Sequence, residues 1–337
     1  MREIFHLYFD FILSHILNTV KEIYLQIDYR YTEFIDIAAA ECIIIITRIL
    51  GENRVKRKLF CEISPLCYKI SKQKENMLHD IRDILHKENF PDTFSDTPLP
   101  FVIKRHSSEI MRNLSGVDMK LQQNKKTNLK LASDKINGII INPGETFSFW
   151  KLVGSPTKEK GYLDGLVIQR GKLGSGTGGG LCQLANLIHW LVLNSPLTVT
   201  ELHHHSDAIF PDAHRKVPFG TGTSVSYKNF DYRFKNTTDR PVQLLIWQKD
   251  GVLFGELRSD KKFPFVYRII EENYGFIEEE GVFYRVSQVY RLTLDRKKQI
   301  IHKEVILNNH SKVLYDYSLI PENQIITPRL RRIECKI

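Results

Sequence analysis

Gly171-Lys-Leu-Gly-Ser-Gly-Thr-Gly-Gly-Gly-Leu-Cys182-Gln-Leu-Ala-Asn-Leu-Ile-His-Trp-Leu-Val-Leu-Asn194 is the stretch on which the fold reading turns. Its first ten residues carry six glycines, a density that argues against a regular element and for a loop that lets backbone or substrate approach closely. From Gln183 onward Leu184, Leu187, Ile188, Leu191 and Val192 recur at spacings of three and four, which predicts a buried helix of about three turns starting at or just after Cys182. A thiol at a helix start sits among unpaired N–H groups at the positive end of the dipole, a setting that lowers its pKa and favours the nucleophilic thiolate. The glycine-rich backbone, including Gly178, Gly179 and Gly180, can donate N–H groups to an oxyanion formed when that thiolate attacks a carbonyl.

Asn194-Ser195-Pro196 ends the helix, and Leu197–Leu202 alternates as a strand should before His203-His204-His205-Ser206. A helix over 183–194 is about 18 Å long, and a strand over 197–203 retraces about 23 Å, so the histidines return beside Cys182. A thiol facing an imidazole is the arrangement of cysteine acyl-transfer enzymes. Alternation places His203 and His205 on one face. The bland readings are a small core cysteine and an exposed strand end. A metal reading takes His203 and His205 with His214 or Asp212 but lacks a third ligand at a standard spacing, so no metal is assigned. His189, between Ile188 and Trp190, reads as a core histidine. No Gly-Lys-Ser/Thr follows the glycines, which disfavours nucleotide binding, and nothing in the pattern calls for a cofactor.

Farther out, the pattern predicts an α+β chain: a helical N-terminal region, then an antiparallel-sheet domain whose buried central helix carries the cysteine motif at its N-terminus. Residues 1–58 read as a helical extension with Phe5, Phe9, Ile12, Ile16, Val20, Ile23 and Ile27 on one face. Residues 59–100 read as a helical lead-in, over 70–90, and a turn-rich linker over 92–100. Residues 101–325 form the main domain and 326–337 a basic tail. Within the domain a helix is expected over 120–136, and strands over 138–142, 223–227, 231–235, 242–248, 252–257, 282–290 and 300–307. No repeat of fixed period is present.

The 337 residues, 42% hydrophobic and 26% charged, are enough for a sizeable core and exclude disordered and collagenous classes. A net charge of +9 favours an anionic partner without choosing one. Five cysteines, Cys42, Cys61, Cys67, Cys182 and Cys335, contain no CxxC pair and suggest neither a disulfide framework nor a zinc module. Met1-Arg-Glu-Ile-Phe-His6 lack the basic run, apolar stretch and cleavage site of a secretory signal, so none is expected, and the most apolar window, 35–50, is broken by Asp36, Glu41 and Arg48, short of the roughly 20 apolar residues a membrane span needs. The expectation is a cytoplasmic protein, with peripheral contact to the inner membrane face as a minor alternative.

Arg105-His-Ser, Gln123-Asn-Lys125, Asn128-Leu, Pro143-Gly-Glu-Thr-Phe-Ser-Phe-Trp150, Gly178-Gly-Gly-Leu-Cys-Gln-Leu-Ala-Asn-Leu187, Pro196-Leu-Thr-Val-Thr-Glu201, His205-Ser206, Phe210-Pro-Asp212, Arg215 and Pro218-Phe-Gly220 stand in that order. Together they resemble the VanW family, named from vancomycin-resistance gene clusters, over roughly residues 60 to 325. The resemblance implies a cell-wall and antibiotic-resistance context and peptidoglycan cross-linking of the L,D-transpeptidase type. Carried over by motif, Cys182 is the nucleophile and His205 the base, with His203 the less secure alternative. Gly178, Gly179, Gly180, Gln183 and Ser206 then line the substrate, and Arg215 contacts a substrate carboxylate. The implied partner is a peptidoglycan stem peptide or precursor, and no nucleic acid is expected. Two other classes stand beside this one: a non-catalytic module recognising wall precursor or glycopeptide in the same cleft, and a metal-binding protein using the histidines.

Overall fold

A computed structural model describes residues 87–111, 119–169, 172–204, 207–208, 211, 217–227 and 229–326, with Ser64, Asp83 and Leu85. The chain divides into two compact units, Met1–Tyr68 and Lys69–Ile337, and every described helix and strand lies in the second. The expected helical extension over 1–58 and nearly all of the basic tail lie outside the described residues. Of the helix expected over 70–90, Asp83 and Leu85 are described, and both are helical.

The fold is α+β and mostly antiparallel. Its main sheet has five strands in the order β1 (Thr93–Phe94), β3 (Ile139–Ile141), β10 (Val242–Lys249), β11 (Val252–Ser259) and β2 (Phe101–Glu109). The β10–β11 hairpin pairs Lys249 with Val252 across Asp250-Gly251, whose φ values of 50° and 75° are both left-handed. An Asp-Gly pair with positive φ at both positions matches the twist of the flanking strands, so the turn fixes the register. Two helices lie on this sheet: α1 (Met119–Asp134), against β10, and α3 (Leu181–Leu193), packed on β11 and β2. Between them in sequence comes the short α2 (Phe149–Val153).

The α3 face predicted from periodicity is the one buried. Leu184, Leu187, Ile188 and Leu191 join Ile139, Ile141, Leu244, Leu253 and Leu257 in one cluster with almost no exposure. Each such side chain contributes about 1.5–3 kcal/mol relative to an exposed one. Close approach of helix to sheet depends on Gly255 in β11, where an added Cβ would lie 2.7 Å from Leu187 Cδ2 and 3.0 Å from Leu191 Cδ1.

Beside this body stand three smaller sheets. β4 (Thr146–Ser148), β9 (Arg233–Lys235) and β7 (Thr198–Glu201) form one. β5 (Asp164–Gln169) and β6 (Lys172–Thr177) form a hairpin. β12 (Val266–Glu279), β13 (Val282–Leu294) and β14 (Ile300–Val313) form a long meander, with β8 (Asp207–Ala208) parallel to β14.

Three sequence expectations change. The 92–100 segment, read as a linker, supplies edge strand β1 and is stitched to the body by Ser95 N–H to Gly138 O (2.9 Å) and Leu99 N–H to Gln243 Oε1 (2.8 Å). The first half of the glycine run, read as irregular, is strand β6: in the hairpin Gly174 pairs with Val167, and a Cβ at Gly176 would meet Val167 Cγ1 at 3.4 Å. The 223–227 segment, expected as a strand, is irregular and joins no ladder beyond the bridge Ser226 to Phe230, turning at Tyr227. Its amides are spent elsewhere, Thr223 N–H on Asn186 Oδ1 and Ser224 N–H on His203 O.

Candidate functional site

The site is built at the start of α3. Gly180 is the N-cap, left-handed with φ 98°, and a Cβ there would fall 2.2 Å from Lys125 Cγ of α1. Gly179 is pressed on β5: its Cβ would lie 2.2 Å from the Gly165 carbonyl carbon. Asn128, fully buried on α1, staples these pieces, donating to Gly179 O (3.0 Å) and Leu163 O (2.9 Å) and accepting from Leu163 N–H (2.8 Å). The glycines therefore serve close backbone packing. Gly178 N–H is bonded to Leu163 O and Gly179 N–H to Gly176 O, each at 3.0 Å. The N–H groups that an α-helix leaves unpaired by its own geometry come next, at Leu181 and Cys182.

Cys182 lies in the first turn, half-buried, its Sγ–H donating to Val225 O at 3.6 Å. Burial pushes the thiol pKa up from its ordinary value, opposite to the depression expected at a helix start. Desolvation of the charged form outweighs the dipole here, and the resting thiol is protonated at neutral pH. One turn later Asn186 Oδ1 accepts Thr223 N–H at 2.6 Å. Positions four apart share a helix face, so Cys182 and Asn186 clasp Thr223-Ser224-Val225 together. On its other side that segment is held by Ser224 N–H to His203 O (2.6 Å). The Thr223–Val225 segment thus lies between the cysteine's helix face and the chain leaving β7.

The three histidines have different surroundings. His203 pairs through Nε2 with Glu201 Oε1 at 2.9 Å and packs on the Phe230 ring at 4.6 Å between centroids. His204 Nδ1 faces the carbonyls of Gly220 (3.0 Å) and Gly222 (3.2 Å). His205, Ser206 and Arg215, with Asp212 and His214, lie outside the described residues. Gln183, taken as a substrate contact, is bonded through Nε2 to Ser108 Oγ (2.9 Å) and Glu109 O (2.8 Å), pinning α3 to β2. His189 is a core histidine: Nδ1 lies 3.1 Å from the Tyr232 hydroxyl, and burial, with nearby His204, pushes its pKa down to about 3. Among the described residues no group of three or more His, Cys, Asp or Glu side chains is placed to hold a metal ion. Among them too, no helix is long and apolar enough to cross a membrane.

Sequence reasoning passed over a buried charge network behind His203. Glu201 Oε1 also accepts Asp231 N–H (3.0 Å), and Glu201 Oε2 lies 3.4 Å from Arg233 Nε. Arg233 donates through Nε to Asp231 Oδ2 (2.8 Å) and through its terminal nitrogens to Asp83. Burial opposes the charges of Arg233 and Asp83, but their hydrogen bonds and mutual attraction outweigh it, raising the guanidinium's pKa and lowering the carboxyl's. Asp231 is fixed further by Ser148 Oγ and by Trp150 N–H (3.1 Å). One signal was within reach: Glu201 stands two residues before His203, the spacing that puts side chains on one face of a strand.

A family model described as VanW like protein matches residues 124–258. The vancomycin B-type resistance protein VanW of Enterococcus faecalis (strain ATCC 700802 / V583) is 32% identical over 227 residues, covering 67% of this chain and 82% of that protein. The uncharacterized protein YoaR of Bacillus subtilis (strain 168) is 31% identical over 132 residues, 39% of this chain and 42% of that one. No solved structure is matched.

Proposed function

The chain belongs to the VanW family, and from that premise we propose that it is a Cys–His acyl transferase acting on peptidoglycan stem peptides or their precursors. The observation that carries this reading is the clasp: a cysteine in the first turn of a buried helix, across the Thr223–Val225 segment from His203, two residues past the end of β7. In the reaction a base takes the Cys182 proton as sulfur attacks a stem-peptide carbonyl. The Leu181 and Cys182 N–H groups face the tetrahedral oxyanion. The intermediate collapses to a thioester as the imidazolium returns its proton to the departing amine. An incoming amine then attacks the thioester, gives its proton to the imidazole, and leaves the cross-linked peptide and the thiol. The family motif assigns the base to His205; His203 is the described candidate.

A thiol that burial keeps protonated needs its base nearby when substrate arrives, because the thiolate is the attacking species. The same burial, with the thiol already donating to Val225 O, favours the second reading, a non-catalytic module that binds wall precursor in this cleft. The two separate in one assay. The full chain is incubated with stem-peptide fragments and an amine acceptor, and products are resolved by liquid chromatography. Cross-linked dimers formed by wild type and lost in Cys182→Ala support the transferase. Binding of fragments with no product, unchanged by Cys182→Ala, supports the module and sinks the transferase.

A further inference from the structure

The carboxylate beside His203 is held from three directions. Its Oε1 takes the His203 Nε2 contact at 2.9 Å and the Asp231 N–H at 3.0 Å, and its Oε2 faces Arg233 Nε at 3.4 Å. Arg233 is in turn locked by Asp83 and Asp231, so Glu201 is seated in a buried network and points one oxygen at the imidazole. A carboxylate only accepts hydrogen bonds, so in the neutral ring the proton sits on Nε2 and Nδ1 carries the lone pair. The Phe230 ring lies against the imidazole, 4.6 Å between centroids.

We infer that Glu201 is the positioning residue for His203, fixing its Nε2–H tautomer and leaving Nδ1 as the proton acceptor for Cys182 once the Thr223–Val225 segment, which holds the thiol's hydrogen bond at rest, gives way, an assignment that rests on the transferase reading of this site. When Nδ1 takes the thiol proton, the ring keeps its Nε2–H on Glu201 Oε1, so that side of the ring needs no rearrangement. The chain order of the unit is Cys182, Glu201, His203, with Glu201 acting through the ring and not on substrate.

The test uses the full chain labelled with ¹⁵N-histidine. The tautomer of His203, identified by loss of its signals in His203→Gln, is read from two-bond ¹H–¹⁵N correlations at a pH where the ring is neutral. Wild type should show Nε2–H, and Glu201→Ala a mixture of tautomers. An Nδ1–H tautomer in wild type overturns the inference with no variant needed, so poor folding of a variant does not shield it. The second readout is the rate of Cys182 alkylation by iodoacetamide. Glu201→Gln should slow it about tenfold and Glu201→Asp should restore part of the rate. In the His203→Gln background Glu201→Gln should change nothing further, because residues acting through one group are not additive. Independent, multiplying effects would make Glu201 merely structural and sink the inference. If tautomer and coupling hold while no cross-linked product forms, the positioning stands and the transferase reading fails.

Discussion

Asn186→Ala tests whether the clasp over Thr223–Val225 controls the cysteine. Asn186 Oδ1 accepts the amide of Thr223, a residue with no exposure, at 2.6 Å. Removing the acceptor leaves a buried N–H unpaired, at about 1–3 kcal/mol. The second point of the clasp, Cys182 Sγ to Val225 O, is a long thiol contact of 3.6 Å and cannot replace it. The segment should lift more often, and because each 1.4 kcal/mol is a factor of ten, its open population rises roughly 5- to 150-fold. Iodoacetamide reports this as faster alkylation of Cys182 when opening limits access, and urea denaturation reports the stability loss on the same samples. Gln243→Ala is the control. Gln243 is fully buried and ties Leu99 and Ser95 to the sheet, so it should cost at least as much stability without touching the thiol. Equal alkylation rates for the two variants at matched stability would refute the clasp.

Gly179→Ala should be among the most damaging single-methyl changes in the chain, since its Cβ would stand 2.2 Å from the Gly165 carbonyl carbon, backbone that cannot rotate away; a loss of about 3 kcal/mol or more is expected in denaturant melts. Arg233→Leu takes the shared guanidinium from Asp231 and leaves Asp83 only Lys151, at 3.4 Å; it should cost about 3 kcal/mol or more, read by thermal unfolding, with Asp83→Asn/Arg233→Leu recovering part of it. Asp83, whose folded carboxyl is lowered, contributes stability above its unfolded pKa of about 3.9, lost as pH falls through the lower folded value. His189 is depressed to about 3 in the folded chain, so between an unfolded value of about 6.5 and that point the unfolded chain binds the extra proton, and stability falls as pH falls. His189→Gln should flatten that slope in pH-dependent urea titrations; an unchanged slope would mean the ring is not held neutral.

What could be read directly was local. The three-and-four spacing of Leu184 to Val192 located α3 and placed Cys182 in its first turn, and Lys249-Asp250-Gly251 located a hairpin that pairs with no slippage. What could not be read depended on partners distant in sequence. Lys172–Thr177 looks like loop until Asp164–Gln169 is laid beside it, and 92–100 looks like linker until Ile139 and Gln243 bond to it. The Cys182 pKa runs against the local dipole argument because the folded body buries the thiol, and that desolvation outweighs the hydrogen bonding that favours the thiolate. Glu201, the last residue of a family motif, was given no role for a milder reason: the spacing to His203 is local, but its seating depends on Asp231 and Arg233.

The account turns on whether the Cys182 sulfur forms a bond to a stem-peptide carbonyl. Intact-mass spectrometry of the full chain after brief exposure to peptidoglycan fragments, quenched in acid, reads it directly. The account predicts an added mass equal to the acyl donor less its leaving amine, localised to Cys182 by peptide mapping and absent from Cys182→Ala. Cross-linked product accumulating equally in wild type and Cys182→Ala, with no adduct on the cysteine, would contradict it.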